Sequence, residues 1–252
     1  MLLKRVTIDA VGSRLAALHY RPEDARPGPC VVIAHGYTAA KESVDLLAAY
    51  LCVHGWHCVA FDFRGHKLGG STGKMDQPSD AVADLDAAAA WALAETARGS
   101  CVLVGHSLGG LVAGAVGASR SEVAGVAVLA SSASPLAGFH GPAGAALLRQ
   151  RADYVEGTPA ARFLEAVGSL AERIEALSSR PTLFVSARAD MLAASRDVRE
   201  LAARAGSGAS VVEVDGGHME VPARSRGVVA GWMDRSFANH PEETAALADN
   251  AW

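Results

Sequence analysis

Cys101-Val102-Leu103-Val104-Gly105-His106-Ser107-Leu108-Gly109-Gly110 is the stretch on which the reading of the fold turns. Its first four residues form an uninterrupted apolar run, as in a strand buried on both faces of a parallel sheet. An apolar helix follows from Leu108, so Ser107 stands at a sharp strand-to-helix turn. Such a turn demands small residues two positions before and two after the serine, and Gly105 and Gly109 meet that need. The hydroxyl is then exposed above the sheet, and the helix N-terminus points free N–H groups at a reacting oxygen. This setting predicts a catalytic nucleophile.

Outward from that turn, apolar runs alternate with helical patterns. Val6, Ile8, Leu15, Ala17 and Leu18 flank Gly12-Ser13 and predict two short strands joined by a turn. Cys30-Val31-Val32-Ile33-Ala34 and Cys58-Val59-Ala60-Phe61 read as further buried strands, with helical spacing over residues 42–54 between them. An Ala-rich helix is expected over residues 79–97, with Ser79 as its cap and Gly99 as its stop. Strands at 126–129, 182–186 and 211–214 and a last helix over 223–237 complete the pattern. This alternation predicts an α/β fold, a doubly wound and mostly parallel sheet with helices on both faces. A single domain over residues 1–252 is expected. The rhythm breaks only at residues 134–180, where Gly141-Pro142, Gly157, Pro159 and Gly168 interrupt helix-like pieces. That insertion follows a strand end, where open α/β sheets bind ligands. It reads as a short helical lid, the alternative being an ordinary long crossover.

Half of the 252 residues are hydrophobic, enough for one large core or two small ones. The formal net charge of -4, without a basic cluster, argues against nucleic acid as a partner. Cys30, Cys52, Cys58 and Cys101 lack metal-finger spacing and predict four free thiols and no metal site, a Cys52–Cys58 disulfide being the alternative. At the N-terminus Lys4 and Arg5 follow the apolar residues, the wrong order for a secretory signal, and no apolar run is long enough to span a bilayer. A soluble, cytoplasmic protein without membrane insertion is expected.

A serine nucleophile needs an oriented base. Among nine histidines His218 has the fitting place, after the last strand and the pair Gly216-Gly217 and before the final helix. His106 adjoins the serine and should point away from it, and His35 reads as a structural residue of its turn. His19, His54, His57, His66, His140 and His240 have no comparable setting. Asp190, just past a strand end, is the expected orienting acid, with Asp215 and Asp197 as competitors. The oxyanion hole calls for two backbone donors: Leu108 N–H, and Tyr37 N–H in His35-Gly36-Tyr37. The Tyr37 phenol faces the substrate or packs; the sequence leaves both open.

The ordered set His35-Gly36-Tyr37-Thr38, Asp62-Phe63-Arg64-Gly65-His66, Gly105-His106-Ser107-Leu108-Gly109-Gly110, Asp190 and Gly217-His218 resembles the α/β-hydrolase superfamily. Within it, residues 35–42 and the loop at Asp62 look most like small-lid bacterial carboxylesterases, including the cinnamoyl and feruloyl esterase group. The resemblance implies hydrolysis of a small-molecule ester through an acyl-serine, without metal or organic cofactor. Ser107, Asp190 and His218 would form the triad. A thioesterase or acyltransferase with the same triad, and a non-catalytic binding protein on this scaffold, are the alternatives. Gly65-His66-Lys67-Leu68-Gly69-Gly70-Ser71 departs from the relatives' shorter loop. Phe139, Tyr154 and Phe163, the candidates for the substrate pocket, are the lid's few aromatics, which gives an aromatic acid little support.

Overall fold

The computed structural model describes residues 1–238; His240 lies outside them. Strands β1 (Leu2–Ala10), β2 (Ser13–Arg21), β3 (Cys30–Ala34), β4 (Cys58–Phe61), β5 (Cys101–His106), β6 (Val123–Leu129), β7 (Thr182–Ala187) and β8 (Ala209–Val214) form one sheet in the order β1-β2-β4-β3-β5-β6-β7-β8. β1 and β2 pair antiparallel, as do β2 and β4, and every other neighbouring pair is parallel. This is the α/β-hydrolase fold. The two opening strands are nine residues each, longer than their alternation suggests, because β1 is an edge strand whose outer half stays exposed.

Alternation within the buried strands divides the core between the two faces. Cys30, Val32, Ala34, Cys101 and Leu103 point to one side. There they meet α2 (Pro78–Thr96) and α3 (Leu108–Ser119) through Leu85, Ala88, Leu111 and Val112. Val31, Ile33, Val102 and Val104 point to the other, against α1 (Asp45–Val53) and later helices through Leu47, Leu51, Trp232 and Met233. β3 has β4 on one side and β5 on the other, so the winding direction reverses between β3 and β5. A crevice opens at the C-terminal ends of such a strand pair.

Local chemistry corrects several predicted boundaries. Residues 42–54 are not one helix: a 3-10 turn, Lys41–Val44, precedes α1. The Ser43 hydroxyl bonds the Ala40 carbonyl at 2.7 Å, and the Lys41 N–H is drawn onto Asp62 at 2.7 Å. Ser79 does not cap α2. The N–H groups of Asp76 and Gln77 both donate to the Asp80 carboxylate, at 3.0 and 2.8 Å, and Pro78 occupies the first helical position, where its missing N–H costs nothing. α2 also stops before Gly99, at Ala97 with φ 51°. The four cysteines are free and buried.

Helices α4 (Pro142–Gln150) and α5 (Ala160–Val167), with 3-10 turns at Pro135–Phe139, Ala152–Tyr154 and Gly168–Leu177, occupy the insertion between β6 and β7. Its two halves are anchored unequally. α5 buries Phe163, Leu164 and Val167, whereas no residue of α4 is fully buried. The loop after β4 clasps residues 154–158: Lys67 N–H bonds Tyr154 O (2.9 Å), Glu156 N–H bonds Gly65 O (2.8 Å), Met75 N–H bonds Glu156 O (2.8 Å) and Thr158 N–H bonds Met75 O (3.1 Å). That loop is itself tied down, with Gly70 N–H on Asp62 at 2.8 Å and the Ser71 hydroxyl on the Asp62 carbonyl at 2.6 Å. After β7 the chain continues through α6 (Ser195–Arg204), β8, α7 (Val221–Arg224) and α8 (Arg226–Phe237).

Elements with few buried contacts open at low free-energy cost. Native-state hydrogen exchange is therefore expected to show α4 amides exchanging well ahead of those in α5 and the 154–158 clasp. Equal protection in α4 and α5 would contradict this division.

Candidate active site

Ser107 caps the first turn of α3 with φ 54° and ψ -116°, a backbone region that favours glycine. The surrounding contacts hold it there. Ser107 N–H donates to Leu129 O at 2.8 Å, and Ser107 O accepts from Gly110 N–H at 3.0 Å and from the Ser131 hydroxyl at 2.7 Å. A Cβ on Gly105 would overlap the Gly109 carbonyl, and one on Gly109 would overlap the Ala34 and His35 carbonyls. The two glycines thus let α3 begin directly against β5 and β3.

β7 and β8 deliver the other two predicted residues. Their parallel register carries past the strand ends, where Arg188 N–H bonds Val214 O and Ala189 N–H bonds Gly216 O, each at 3.0 Å. His218 Nδ1 thereby meets Asp190 Oδ2 at 2.8 Å and Oδ1 at 3.1 Å. The Asp190 carboxylate is fully buried, and its Oδ1 also accepts the N–H groups of Leu192 and Ala193, both at 2.8 Å. Asp215 instead pairs with Arg188 and Asp197 with Arg196, both on the surface. With Nδ1 on the carboxylate, Nε2 is the nitrogen of His218 left for chemistry.

Ser107 and His218 line one cavity of about 50 Å³, together with Tyr37, Leu108 and mostly apolar side chains. Leu108 opens α3, so its N–H has no partner within the helix. Tyr37 lies in the turn closed by Ala39 N–H on Gly36 O (3.2 Å), in which Thr38 takes φ 60°. The Tyr37 ring packs: it stacks on Phe163 at 5.4 Å and meets His66 edge-on at 5.7 Å. Burial pushes its phenol up to about 12. Of the three predicted pocket aromatics only Phe139 reaches the cavity. Phe163 is drawn into the core by α5, and Tyr154 sits against the loop after β4, its ring under the Arg151 guanidinium. The cavity is walled instead by Leu147, Leu148, Leu164, Leu192 and Met219. A wider apolar cleft of about 540 Å³ adjoins it, sharing Leu147, Leu192, His218 and Met219. Sequence reasoning missed these residues, since aliphatics at helical spacing look the same whether they face a core or a cavity.

Neutral histidines brace the loops around the site. His35 Nε2 accepts the Phe63 N–H at 3.1 Å, so its Nδ1–H donates to Gly36 O at 2.8 Å and joins the loops after β3 and β4. His106 does not simply turn away: its Nε2–H donates to the His218 carbonyl at 2.9 Å, and the two rings lie 4.9 Å apart. His66 fits edge-on against His35 at 4.9 Å. Burial pushes His35 down to about 4 and His66 and His106 down to about 3. His19, packed against Trp91, is held at about 4 for the same reason. Among the described residues, no group of three or more His, Cys, Asp or Glu side chains is placed to hold a metal ion, and no helix is long and apolar enough to cross a membrane.

Residues 25–154, just over half of the chain, match the family described as Serine aminopeptidase, S33. The chain belongs to this family. A search of curated proteins returns no significant match. Among solved structures, the esterase domain of a Rhodothermus marinus protein aligns with 24% identity and a TM-score of 0.71, covering 95% of this chain and 100% of that one. An esterase from Pyrococcus furiosus aligns with 20% identity and a TM-score of 0.71, covering 93% of each chain. The enol-lactonase from Burkholderia xenovorans aligns with 18% identity and a TM-score of 0.68, over 90% of this chain and 99% of that one. At these identities the likeness establishes a shared fold, and this S33-family chain is an α/β hydrolase.

Two outcomes are expected from the site's construction. Glycine usually destabilises relative to alanine, but at Ser107 the backbone strain, about 1–3 kcal/mol, should reverse the order. Ser107→Gly is expected to melt above Ser107→Ala; the opposite order would mean that the turn is unstrained. The histidine prediction concerns acid. His19, His35, His66 and His106 have folded-state pKa values of about 3 to 4, below the ordinary 6.5. Below pH 6.5 the unfolded chain therefore binds protons that the folded one does not, and stability falls as pH drops toward those lowered values. Calorimetry should show the melting temperature declining from pH 7 to 5, with uptake of about four protons on unfolding at pH 5. A flat profile would contradict it.

Proposed function

We propose that this chain hydrolyses carboxylic esters through an acyl-Ser107 intermediate. The observation that carries the reading is the placement of strained Ser107 and Asp190-bound His218 on one small apolar cavity. His218 Nε2 takes the proton as Ser107 Oγ attacks the carbonyl, and Asp190 stabilises the imidazolium that results. The Leu108 and Tyr37 N–H groups hold the oxyanion. His218 then protonates the departing alcohol, activates water, and the acyl-serine is cleaved to the acid. His106 is a positioning residue, fixing the His218 backbone from behind.

The family description names an aminopeptidase, whose substrates present an ammonium group. Here the permanently charged side chain on the cavity is Arg151, which repels ammonium, so an ester fits better than a peptide N-terminus. The solved structures of similar fold include esterases, which supports the same reading. The small cavity suits a short acyl chain and the adjoining cleft the leaving alcohol. Residues 134–180 act as the lid over both, within a single domain. Four buried free thiols suit a reducing, cytoplasmic compartment.

A fluorophosphonate should label Ser107 and leave Ser107→Ala unlabelled, with turnover of p-nitrophenyl esters lost in that folded variant. A folded wild-type protein without the Ser107 adduct would refute the mechanism. Asp190→Asn tests the base. Two N–H groups on Oδ1 require an acceptor there, so the new amide NH₂ must face His218 Nδ1 and force its proton onto Nε2. That tautomer cannot accept the serine proton, and kcat should drop about 10³- to 10⁴-fold.

A further inference from the structure

We propose that Arg151 binds a carboxylate on the substrate, making the preferred ester a monoester of a short dicarboxylic acid. This deepens the esterase reading and rests on it. Arg151 stands between α4 and the 3-10 turn at Ala152–Tyr154. Its backbone is held on both sides, its N–H on Leu147 O (3.1 Å) and its carbonyl on the Tyr154 N–H (3.0 Å). The guanidinium lies over the Tyr154 ring, 5.5 Å from its centre, and among the described residues Nη1 reaches only the Thr38 hydroxyl, at 3.5 Å.

Among the described residues no carboxylate pairs with Arg151, and it is the one permanently charged side chain lining the cavity. The other guanidiniums withdrawn from water meet a carboxylate or a carbonyl: Arg64 meets Asp84 and Asp80, Arg120 meets Asp86 and Glu122, Arg26 meets Asp234, and Arg98 and Arg180 donate to the Arg26 and Val123 carbonyls. Asp153, the nearest acid in sequence, is fully exposed and turned to Lys67. A guanidinium beside an apolar cavity pays for lost hydration unless an anion meets it. Its planar fork of N–H donors matches a carboxylate, and Thr38 leaves most of that fork free. Thr38 holds φ 60°, rare for a β-branched residue, and strain of that kind is retained at ligand sites. Because Thr38 adjoins Tyr37, the anion lies on the oxyanion side of the cavity. The acyl part of the ester therefore carries it, a short apolar spacer away from the scissile carbonyl.

The test compares kcat/KM for the p-nitrophenyl monoester of adipic acid with that for p-nitrophenyl hexanoate, corrected for uncatalysed hydrolysis. Wild type should prefer the anionic ester by at least about tenfold. Arg151→Gln should bring the ratio close to parity, and Arg151→Lys should restore part of the preference. A misfolded fraction lowers both rates alike and leaves the ratio unchanged, so the comparison does not depend on the variant's yield. An identical ratio in wild type and Arg151→Gln would overturn the proposal. Adipate itself supplies a readout without turnover: it should raise the melting temperature of wild type and not that of Arg151→Gln. An equal shift in both, or none in either, counts against the site. Failure to cleave either ester, with Ser107 unlabelled by fluorophosphonate, would instead sink the esterase reading while the adipate shift still decides on Arg151.

Discussion

The closeness of β5 to α3 is the constraint on which the rest of the molecule depends. Between them the backbone reverses so tightly that no Cβ fits at Gly105 or Gly109, and Ser107 is forced to a positive φ. That conformation costs about 1–3 kcal/mol for a residue with a side chain. Hydrogen bonds to Leu129, Gly110 and Ser131 hold it. Because the winding reverses between β3 and β5, the same close approach sets the Gly36–Thr38 turn beside the serine. The proposed nucleophile and oxyanion donors are thus neighbours by topology.

Asp190 and His218 reach the site by a different device, the extension of β-sheet register beyond the strands. Bonds from Arg188 to Val214 and from Ala189 to Gly216 continue the β7–β8 ladder into the loops, fixing the separation of Asp190 and His218. The carboxylate has little freedom, since Leu192 and Ala193 N–H groups anchor one oxygen while the other meets the imidazole. Behind His218, burial disfavours the charged form of His106, whose Nε2–H donates to the His218 carbonyl. The burial that fixes these rings in single tautomers is what makes their protonation costly.

Much of this was legible in the sequence because it depends on local rules. β3 and β4 match their apolar runs residue for residue, and α3 begins at the predicted Leu108. Asp190 was separable from Asp215 and Asp197 by its place at a strand end, and it is the acid that meets His218. Other features depend on contacts that one segment cannot encode. The Asp80 carboxylate displaced Ser79 as the organiser of α2, a competition between two acceptable caps. Phe163 and Phe139 are alike in composition, yet one entered the core and the other the cavity, according to the direction each helix faces. The loop at residues 64–73 looked merely long; its folded form exists because Asp62 and residues 154–158 meet it from opposite sides.

The clasp on 154–158 gives the insertion a mechanical asymmetry that bears on selectivity. α5 and the clasp hold one wall of the cavity against the core, while α4 carries Leu147 and Leu148 on a helix with no fully buried residue. Arg151 ends that loosely held helix, just before the clasped segment begins. A ligand carboxylate at Arg151 would bridge α4 to the Thr38 turn, which is fixed beside Ser107. Charge recognition and closure would then be one event, since the anion draws α4 toward the oxyanion side. A neutral ester of equal length fills the same apolar space without that tether. Under the proposed reading, the acyl group's far end would control how long Ser107 and His218 stay shielded from water, and discrimination would fall on the acyl half of the substrate rather than on the alcohol.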